Sequence, residues 1–245
     1  MKSIVLAAGY ATRLYPLTKD FPKPLLPIGN STILNRLITD IDKLPEITGH
    51  IIISNHKFIN HFENWKKESC YKKPITILDD GSTENENRLG AVKDLVFALE
   101  TLSVDDDILV LAGDNVLDFS LSEFIGFHKN KHASCIMRHY EDDISKLRKT
   151  GVATVEDDGK VLSMQEKPAE PQSNWAVPPF YIYKKTDIPV LKQIVASGEC
   201  ATDAPGDFIA TFCKRETVYA WEMTGKRYDI GDLLSYQTAQ SLFAC

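Results

Sequence analysis

No apolar run in the 245-residue sequence approaches the ~20 residues that cross a bilayer, so a helical membrane span is not expected. Basic charge is also short. The 28 Lys and Arg face 34 Asp and Glu, a net charge of −6, which argues against a nucleic-acid partner bound through a basic stripe. The five cysteines (Cys70, Cys135, Cys200, Cys213, Cys245) are odd in number, widely spaced and free of any C-x-x-C pair. Reduced thiols, buried or at the C-terminus, are expected rather than a disulfide framework. There is no Walker loop, no G-x-G-x-x-G fingerprint and no G-x-S-x-G elbow. Residues 2–9 are too short for a secretory signal and lack its flanks, which leaves a cytoplasmic location as the expectation.

What is present is enough hydrophobic content, 43%, for a full core in one large domain. Continuous apolar runs at residues 4–8, 50–54, 74–78 and 108–112 read as strands buried on both faces. Helical spacing separates them at 33–41, 59–67 and 89–102. Strands alternating with helices predict an α/β fold, three-layered and Rossmann-like, with a mixed, largely parallel central sheet. Later strands are expected at 133–139, 152–156, 180–183 and 218–223, with Asp158-Gly159 turning a small hairpin. Helices are expected near 188–196, 207–213 and 233–243. With no linker or repeat, the economical division is a nucleotide-binding half, about 1–130, and an acceptor-binding half, about 131–245.

The most informative stretch runs from Leu6-Ala7-Ala8-Gly9-Tyr10-Ala11-Thr12-Arg13-Leu14 to Pro22-Lys23-Pro24-Leu25-Leu26-Pro27-Ile28. A strand that stops at glycine offers free backbone N–H groups, which can cradle phosphate oxygens. Arg13 supplies a permanent fork-shaped charge, and Lys23 a compact one on a proline-stiffened backbone. The bland alternative is a proline-rich surface loop with two solvated cations. Two further motifs carry carboxylates. Ala112-Gly113-Asp114-Asn115 follows a strand, where α/β folds bind ligands, and Tyr228-Asp229-Ile230-Gly231-Asp232 precedes the closing helix. Each alone reads equally as a turn, with Asp232 as a helix cap. Gln165-Glu166-Lys167-Pro168 reads alone as a solvated strand edge. His128 and His132, four apart, could share a helix face as metal ligands, but a solvated helix end is the simpler expectation.

Together these motifs resemble the sugar-phosphate nucleotidylyltransferase family, which includes glucose-1-phosphate thymidylyltransferases and other nucleotide-sugar pyrophosphorylases. Its signature is G-x-G-T-R-L-x-P-L-T…P-K-P-L-L-P-I. The resemblance implies nucleotide binding by Leu6, Ala8, Gly9, Arg13, Lys23 and Gly90, the last in an L-G-x-A-like element at Leu89-Gly90. It implies that Asp114 and Asp229 hold Mg²⁺ against the α-phosphate; magnesium commonly uses one or two carboxylates plus substrate phosphates. It places the acceptor against Gly151, Glu166, Lys167 and Pro179, with Arg13, Lys23, Asp114 and Lys167 in catalytic roles. The implied partners are a nucleoside triphosphate and a phosphorylated small molecule. In the implied reaction the acceptor phosphate, already ionised at pH 7, attacks the α-phosphorus in line and pyrophosphate leaves.

Two departures shape what is expected. Ala11 stands where the family usually has glycine, and predicts either a cramped phosphate loop or a non-positive φ there. Pro179, in Val177-Pro178-Pro179-Phe180, has no N–H for an acceptor hydroxyl. It raises the alternative of a cytidylyltransferase for phosphocholine or a phosphonate. A catalytically silent nucleotide-sugar binder is a second alternative, and a glycosyltransferase of similar layers a third, although Asp114-Asn115-Val116 is not an Asp-x-Asp motif. Without hexapeptide repeats, a minimal catalytic domain, monomer or homodimer, is expected.

Overall fold

The structure is a computed structural model describing residues 1–244; Cys245, expected as a reduced thiol, lies outside them. In chain order its elements begin with β1 (Lys2–Leu6), β2 (Pro27–Ile28), β3 (Ser31–Thr32), α1 (Ile33–Ile41), β4 (Gly49–Ser54), α2 (Ile59–Glu68) and β5 (Ile75–Asp79). Next come α3 (Ala91–Thr101), β6 (Ile108–Ala112), β7 (Asn115–Leu117), α4 (Ser122–Lys131), β8 (Ser134–Tyr140), α5 (Ile144–Leu147), β9 (Gly151–Val155) and β10 (Val161–Glu166). The chain closes with β11 (Trp175–Val177), β12 (Phe180–Tyr183), α6 (Ile188–Ser197), α7 (Pro205–Phe212), β13 (Val218–Glu222), β14 (Arg227–Asp229) and α8 (Leu233–Leu242). Among the described residues no helix is long and apolar enough to cross a membrane.

The chain forms two compact units that interleave in sequence. The first comprises Met1–Arg88, Ala112–Ser122 and the chain from Thr224 onward; the second comprises Leu89–Leu111 and Glu123–Met223. A division at about residue 130 therefore does not describe them, because α8 and β14 fold with the N-terminal segment.

In the first unit β1, β4 and β5 form a parallel array, with Leu6 beside Ile53 and Ile53 beside Leu78. All six residues of β4 are buried, as an uninterrupted apolar run between two neighbouring strands requires. α1 starts where Thr32 accepts a hydrogen bond from the Asn35 amide at 3.0 Å. It buries Ile33, Leu34, Leu37, Ile38 and Ile41, one stripe at helical spacing. α8 starts at Asp232, whose carboxylate accepts from the Ser235 amide at 2.8 Å while the Ser235 hydroxyl accepts from the Asp232 amide at 2.9 Å. Such a reciprocal cap stabilises a helix by about 1 kcal/mol.

In the second unit β10-β9-β11-β8-β12-β6 pair antiparallel in that order, and β13 lies parallel beside β8. The largely parallel sheet expected from the apolar runs is thus a property of the first unit. An apolar run records burial and not direction, so periodicity does not separate the two cases. The Asp158-Gly159 turn joins β9 to β10, with Gly159 at φ 88°. His128 is not at a solvated helix end: it is 4% exposed, held by the Ala133 carbonyl at 2.8 Å and by Asp107 at 3.3 Å. Cys135 is buried as expected, whereas Cys70 is exposed.

Candidate active site

The loop after β1 is ordered by packing. Leu14, Leu26 and Ile28 from the loop, Val116, Ile230, and Tyr236 and Ala239 of α8 share one buried cluster. Leu14 and Leu26 sit one and three residues from Arg13 and Lys23, and Val116 and Ile230 sit two and one residues from Asp114 and Asp229. Each buried aliphatic side chain contributes about 1.5–3 kcal/mol, so the chemistry-bearing residues are carried by strongly anchored neighbours. At the strand end the Ala8 carbonyl accepts from the Asn55 amide side chain at 2.9 Å. Gly9 is exposed, and a Cβ there would meet nothing within 4 Å.

Ala11 does not take the non-positive φ expected of alanine. It lies at φ 48°, ψ 44°, in the left-handed region. Its carbonyl accepts from the Leu14 amide at 2.9 Å and from the Thr18 hydroxyl at 2.8 Å, and the buried Leu14 fixes the turn that follows. These bonds hold a conformation that costs an L-residue about 1–2 kcal/mol.

Gly113-Asp114 is the turn that joins β6 to β7, whereas Asp229 is the last residue of β14. β7 and β14 form an antiparallel ribbon in which Asn115 stands opposite Asp229. The Ile230 amide donates to the Asp114 carbonyl at 3.0 Å, so segments more than a hundred residues apart meet in register. Gly113 is needed for close approach: a Cβ there would lie 3.1–3.3 Å from Val5, Leu6 and Pro24.

Lys23, 8% exposed, donates to Asp114 Oδ2 at 2.8 Å. Asn115 Nδ2 donates to the other oxygen, Oδ1, at 2.6 Å, and Arg227 donates to Asn115 Oδ1 at 2.6 Å. Arg227 also stands 3.9 Å from Asp229 Oδ1. Asp229 Oδ2 and Arg13 Nη1 lie 3.7 and 4.0 Å from the point where Gly231 would carry a Cβ, so both flank that glycine. Arg13, Lys23, Asp114 and Asp229 are therefore brought together in the first unit. Burial and the neighbouring Asp114 raise the Asp229 carboxyl above its ordinary range, against the pull of Arg227, Lys23 and Arg13. A cation between the two carboxylates would relieve that repulsion. Among the described residues no group of three or more His, Cys, Asp or Glu is arranged to hold a metal, so an ion here would have to complete its shell with water and phosphate oxygens. That is the habit of magnesium, and the donor set fits it.

In the second unit the backbone pairing sets Glu166, Gly151 and Val177 abreast on β10, β9 and β11. Glu166 is not a solvated edge: its side chain is 12% exposed, and Lys167 Nζ lies 3.6 Å from its Oε1. Burial raises the Glu166 carboxyl, opposed by Lys167 and reinforced by Asp207. Lys167 takes φ 45°, with its amide bonded to the Thr150 carbonyl at 3.0 Å. Pro179, half-buried, follows Pro178, whose carbonyl accepts from Phe180 at 2.8 Å. Gly90 caps α3 at φ 93°; a Cβ on it would come within 2.8 Å of the Thr202 carbonyl. Sequence reasoning missed Asn115 and Arg227 as members of the carboxylate cluster, and Gly206 and Asp207 as neighbours of Glu166. Asn115 adjoins Asp114 in the motif that sequence reasoning singled out; nothing in the sequence pattern marks the other three.

A family model described as nucleotidyl transferase matches residues 2–244. The chain is 29% identical over 243 residues to the bifunctional protein GlmU of Methanococcus aeolicus, covering 97% of this chain and 54% of that protein. It thus spans about half the length of this curated relative. It is 26% identical over 238 residues to the UTP–glucose-1-phosphate uridylyltransferase AglF of Haloferax volcanii, covering 94% of this chain and 91% of that one. Among solved structures, a putative glucose-1-phosphate thymidylyltransferase from Bacillus anthracis in complex with a sucrose superposes with TM-score 0.82 at 25% identity, over 100% of this chain and 95% of that chain. A UDP-glucose pyrophosphorylase complexed with UDP-glucose gives TM-score 0.83 at 21% identity over 99% and 97%, a likeness of fold.

Proposed function

From the premise that the chain belongs to the nucleotidyl transferase family, we propose that it joins a nucleoside triphosphate to a sugar 1-phosphate and releases pyrophosphate. The observation that carries this reading is the cluster of Lys23, Asp114 and Asp229 at the end of the β7–β14 ribbon, with Arg13 beside it. Gly9 and the open backbone around it offer N–H groups to the triphosphate, and Arg13 holds the pyrophosphate end, where charge builds as the bond breaks. Lys23, already paired with Asp114, neutralises the phosphate that lies between nucleotide and acceptor. Lys167 binds the acceptor phosphate and Glu166 its hydroxyls. No general base is needed, because the attacking phosphate oxygen is already ionised; catalysis rests on positioning and charge neutralisation. Asp114 and Asp229 would hold a Mg²⁺ ion, which when bound supplies Lewis-acid stabilisation of the reacting phosphate.

A sugar acceptor is favoured over phosphocholine or a phosphonate by the relatives' own names, which specify glucose 1-phosphate. Pro179 then reads as a local loss of one donor, not as a change of acceptor class. The experiment is a pyrophosphate-release screen of the common nucleoside triphosphates against sugar 1-phosphates, phosphocholine and a phosphonate, with and without Mg²⁺. Release with a sugar 1-phosphate and Mg²⁺ is the expected result. Release with phosphocholine alone would replace the acceptor assignment, and no release from any pair would replace it with a silent binder.

A further inference from the structure

Asp114 is held by a relay of side chains that runs through Asn115 to Arg227. Asn115 is fully buried, so water cannot substitute for its partners. An arginine guanidinium can only donate and an ionised carboxylate can only accept. Asn115 touches both: Oδ1 takes Arg227 at 2.6 Å, and Nδ2 gives to Asp114 Oδ1 at 2.6 Å. The amide has one orientation that satisfies this pair. Flipped, it would set its oxygen against the carboxylate and its NH₂ against the guanidinium. The relay continues through the carboxylate, whose other oxygen is taken by Lys23 at 2.8 Å. The pairing of β7 with β14 makes the arrangement possible: Asn115 opposes Asp229, and Arg227, two residues before it on the same face, reaches diagonally across the ribbon.

We propose that Arg227 is a positioning residue: it locks the Asn115 amide so that Asn115 holds the Asp114 carboxylate in one plane, facing Asp229. The proposal rests on the nucleotidyl-transfer reading of this site. Arg227 touches no reacting atom; it acts through Asn115, and its charge also stands 3.9 Å from Asp229 Oδ1. Loss of a residue that orients a metal-binding carboxylate typically costs 10–100-fold in activity or ion affinity, and about that loss is expected here.

The test follows three readouts in Arg227→Met, Arg227→Lys and Asn115→Ala, each checked for cooperative thermal unfolding. The side-chain amide resonance of Asn115, identified by its loss in Asn115→Ala, should move in Arg227→Met and stay in place in Arg227→Lys. Binding of Mn²⁺ alone, followed by electron paramagnetic resonance, should weaken by roughly tenfold in Arg227→Met. kcat should fall by roughly 10–100-fold with a much smaller change in KM, and Arg227→Lys should restore most of it. In an Asn115→Ala background, Arg227→Met should lower kcat clearly less than it does in the wild type, because the relay is already cut and only the Arg227–Asp229 pair remains to lose. A full further loss in that background overturns the proposal, as does an unmoved amide signal with wild-type Mn²⁺ affinity. If Arg227→Met does not fold, Asn115→Asp decides: a carboxylate facing Asp114 must depress kcat and ion binding, and wild-type values overturn the proposal. If wild-type protein releases no pyrophosphate, the functional reading fails, while the amide resonance and Mn²⁺ affinity still decide the role of Arg227.

Discussion

Gly206→Ala separates stability from acceptor recognition. A Cβ on Gly206 would lie 1.8 Å from Glu166 Oε2, 2.9 Å from its Cδ and 3.1 Å from Met164 Cε. The carboxylate must retreat by about 1.6 Å to reach an ordinary contact of about 3.4 Å. Gly206 stands at the second position of α7, where alanine is the better helix former by up to about 1 kcal/mol, so the fold itself loses little. Glu166, however, is proposed to bind the acceptor hydroxyls, and a displacement of ~1 Å in a positioning group can cost about 10²-fold. Steady-state kinetics should show kcat/KM for the sugar 1-phosphate down by roughly 30–100-fold, with KM for the nucleoside triphosphate little changed. Gly126→Ala is the control: it lies in α4, where an added Cβ meets nothing within 4 Å, and should leave both substrates unaffected. A folded Gly206→Ala enzyme with unchanged kcat/KM, or an equal loss toward both substrates, would refute the placement of the acceptor against Glu166.

Three further outcomes are expected. Lys23→Met should lower kcat by roughly 10²–10³-fold, the range for losing one pre-organised donor at developing charge, in a chain that still unfolds cooperatively; wild-type turnover would remove Lys23 from the reaction. Ala11→Gly should stabilise the protein by about 0.5–1 kcal/mol in urea unfolding, because it relieves the left-handed φ while regaining some unfolded-chain entropy; destabilisation would contradict the backbone assignment. Stability should fall as pH drops below about 6.5, since burial lowers the His50 imidazole below its ordinary value against the attraction of Asp42. Below that pH the unfolded chain takes up a proton that the folded chain refuses. Burial raises Asp42, but bonds from the Lys72 amide, His50 and the Lys73 amide outweigh it, so its contribution is lost only as pH falls below 3.8. The raised Glu166 and Asp229 act in the opposite sense, so the comparison is with His50→Gln, whose urea-unfolding profile between pH 8 and 5 should be flatter than that of the wild type.

His50 also shows where sequence reasoning stops. Ser3, His50 and Asp42 form a hydrogen-bonded chain at 2.7 and 3.2 Å, the order of a nucleophilic triad, yet Ser3 is fully buried and the chain is structural. Spacing along the chain does not show such a triad, and only burial rules out its chemistry. The elements with strong periodicity were legible: α1, β4, β12 and the β9–β10 turn fall where apolar spacing and Asp158-Gly159 place them. The short ribbon β7–β14 was not, because three-residue strands carry too little pattern and their partner lies over a hundred residues away. Arg13, Lys23, Asp114 and Asp229 were singled out only together, through the resemblance their motifs carry, since each motif alone reads as a turn or a solvated loop. Their relay was not legible, since the orientation of Asn115 is fixed by Arg227, a contact made only in three dimensions.

The central claim is transfer of a nucleotidyl group to a sugar phosphate, and a ³¹P NMR time course of the best substrate pair tests it most directly. Equal loss of triphosphate and sugar 1-phosphate, with equal appearance of a nucleotide-sugar diphosphate and pyrophosphate, is the predicted result, and Asp114→Asn should abolish all four changes together. Formation of nucleoside monophosphate without consumption of the sugar phosphate, or unchanged turnover in Asp114→Asn, would contradict it.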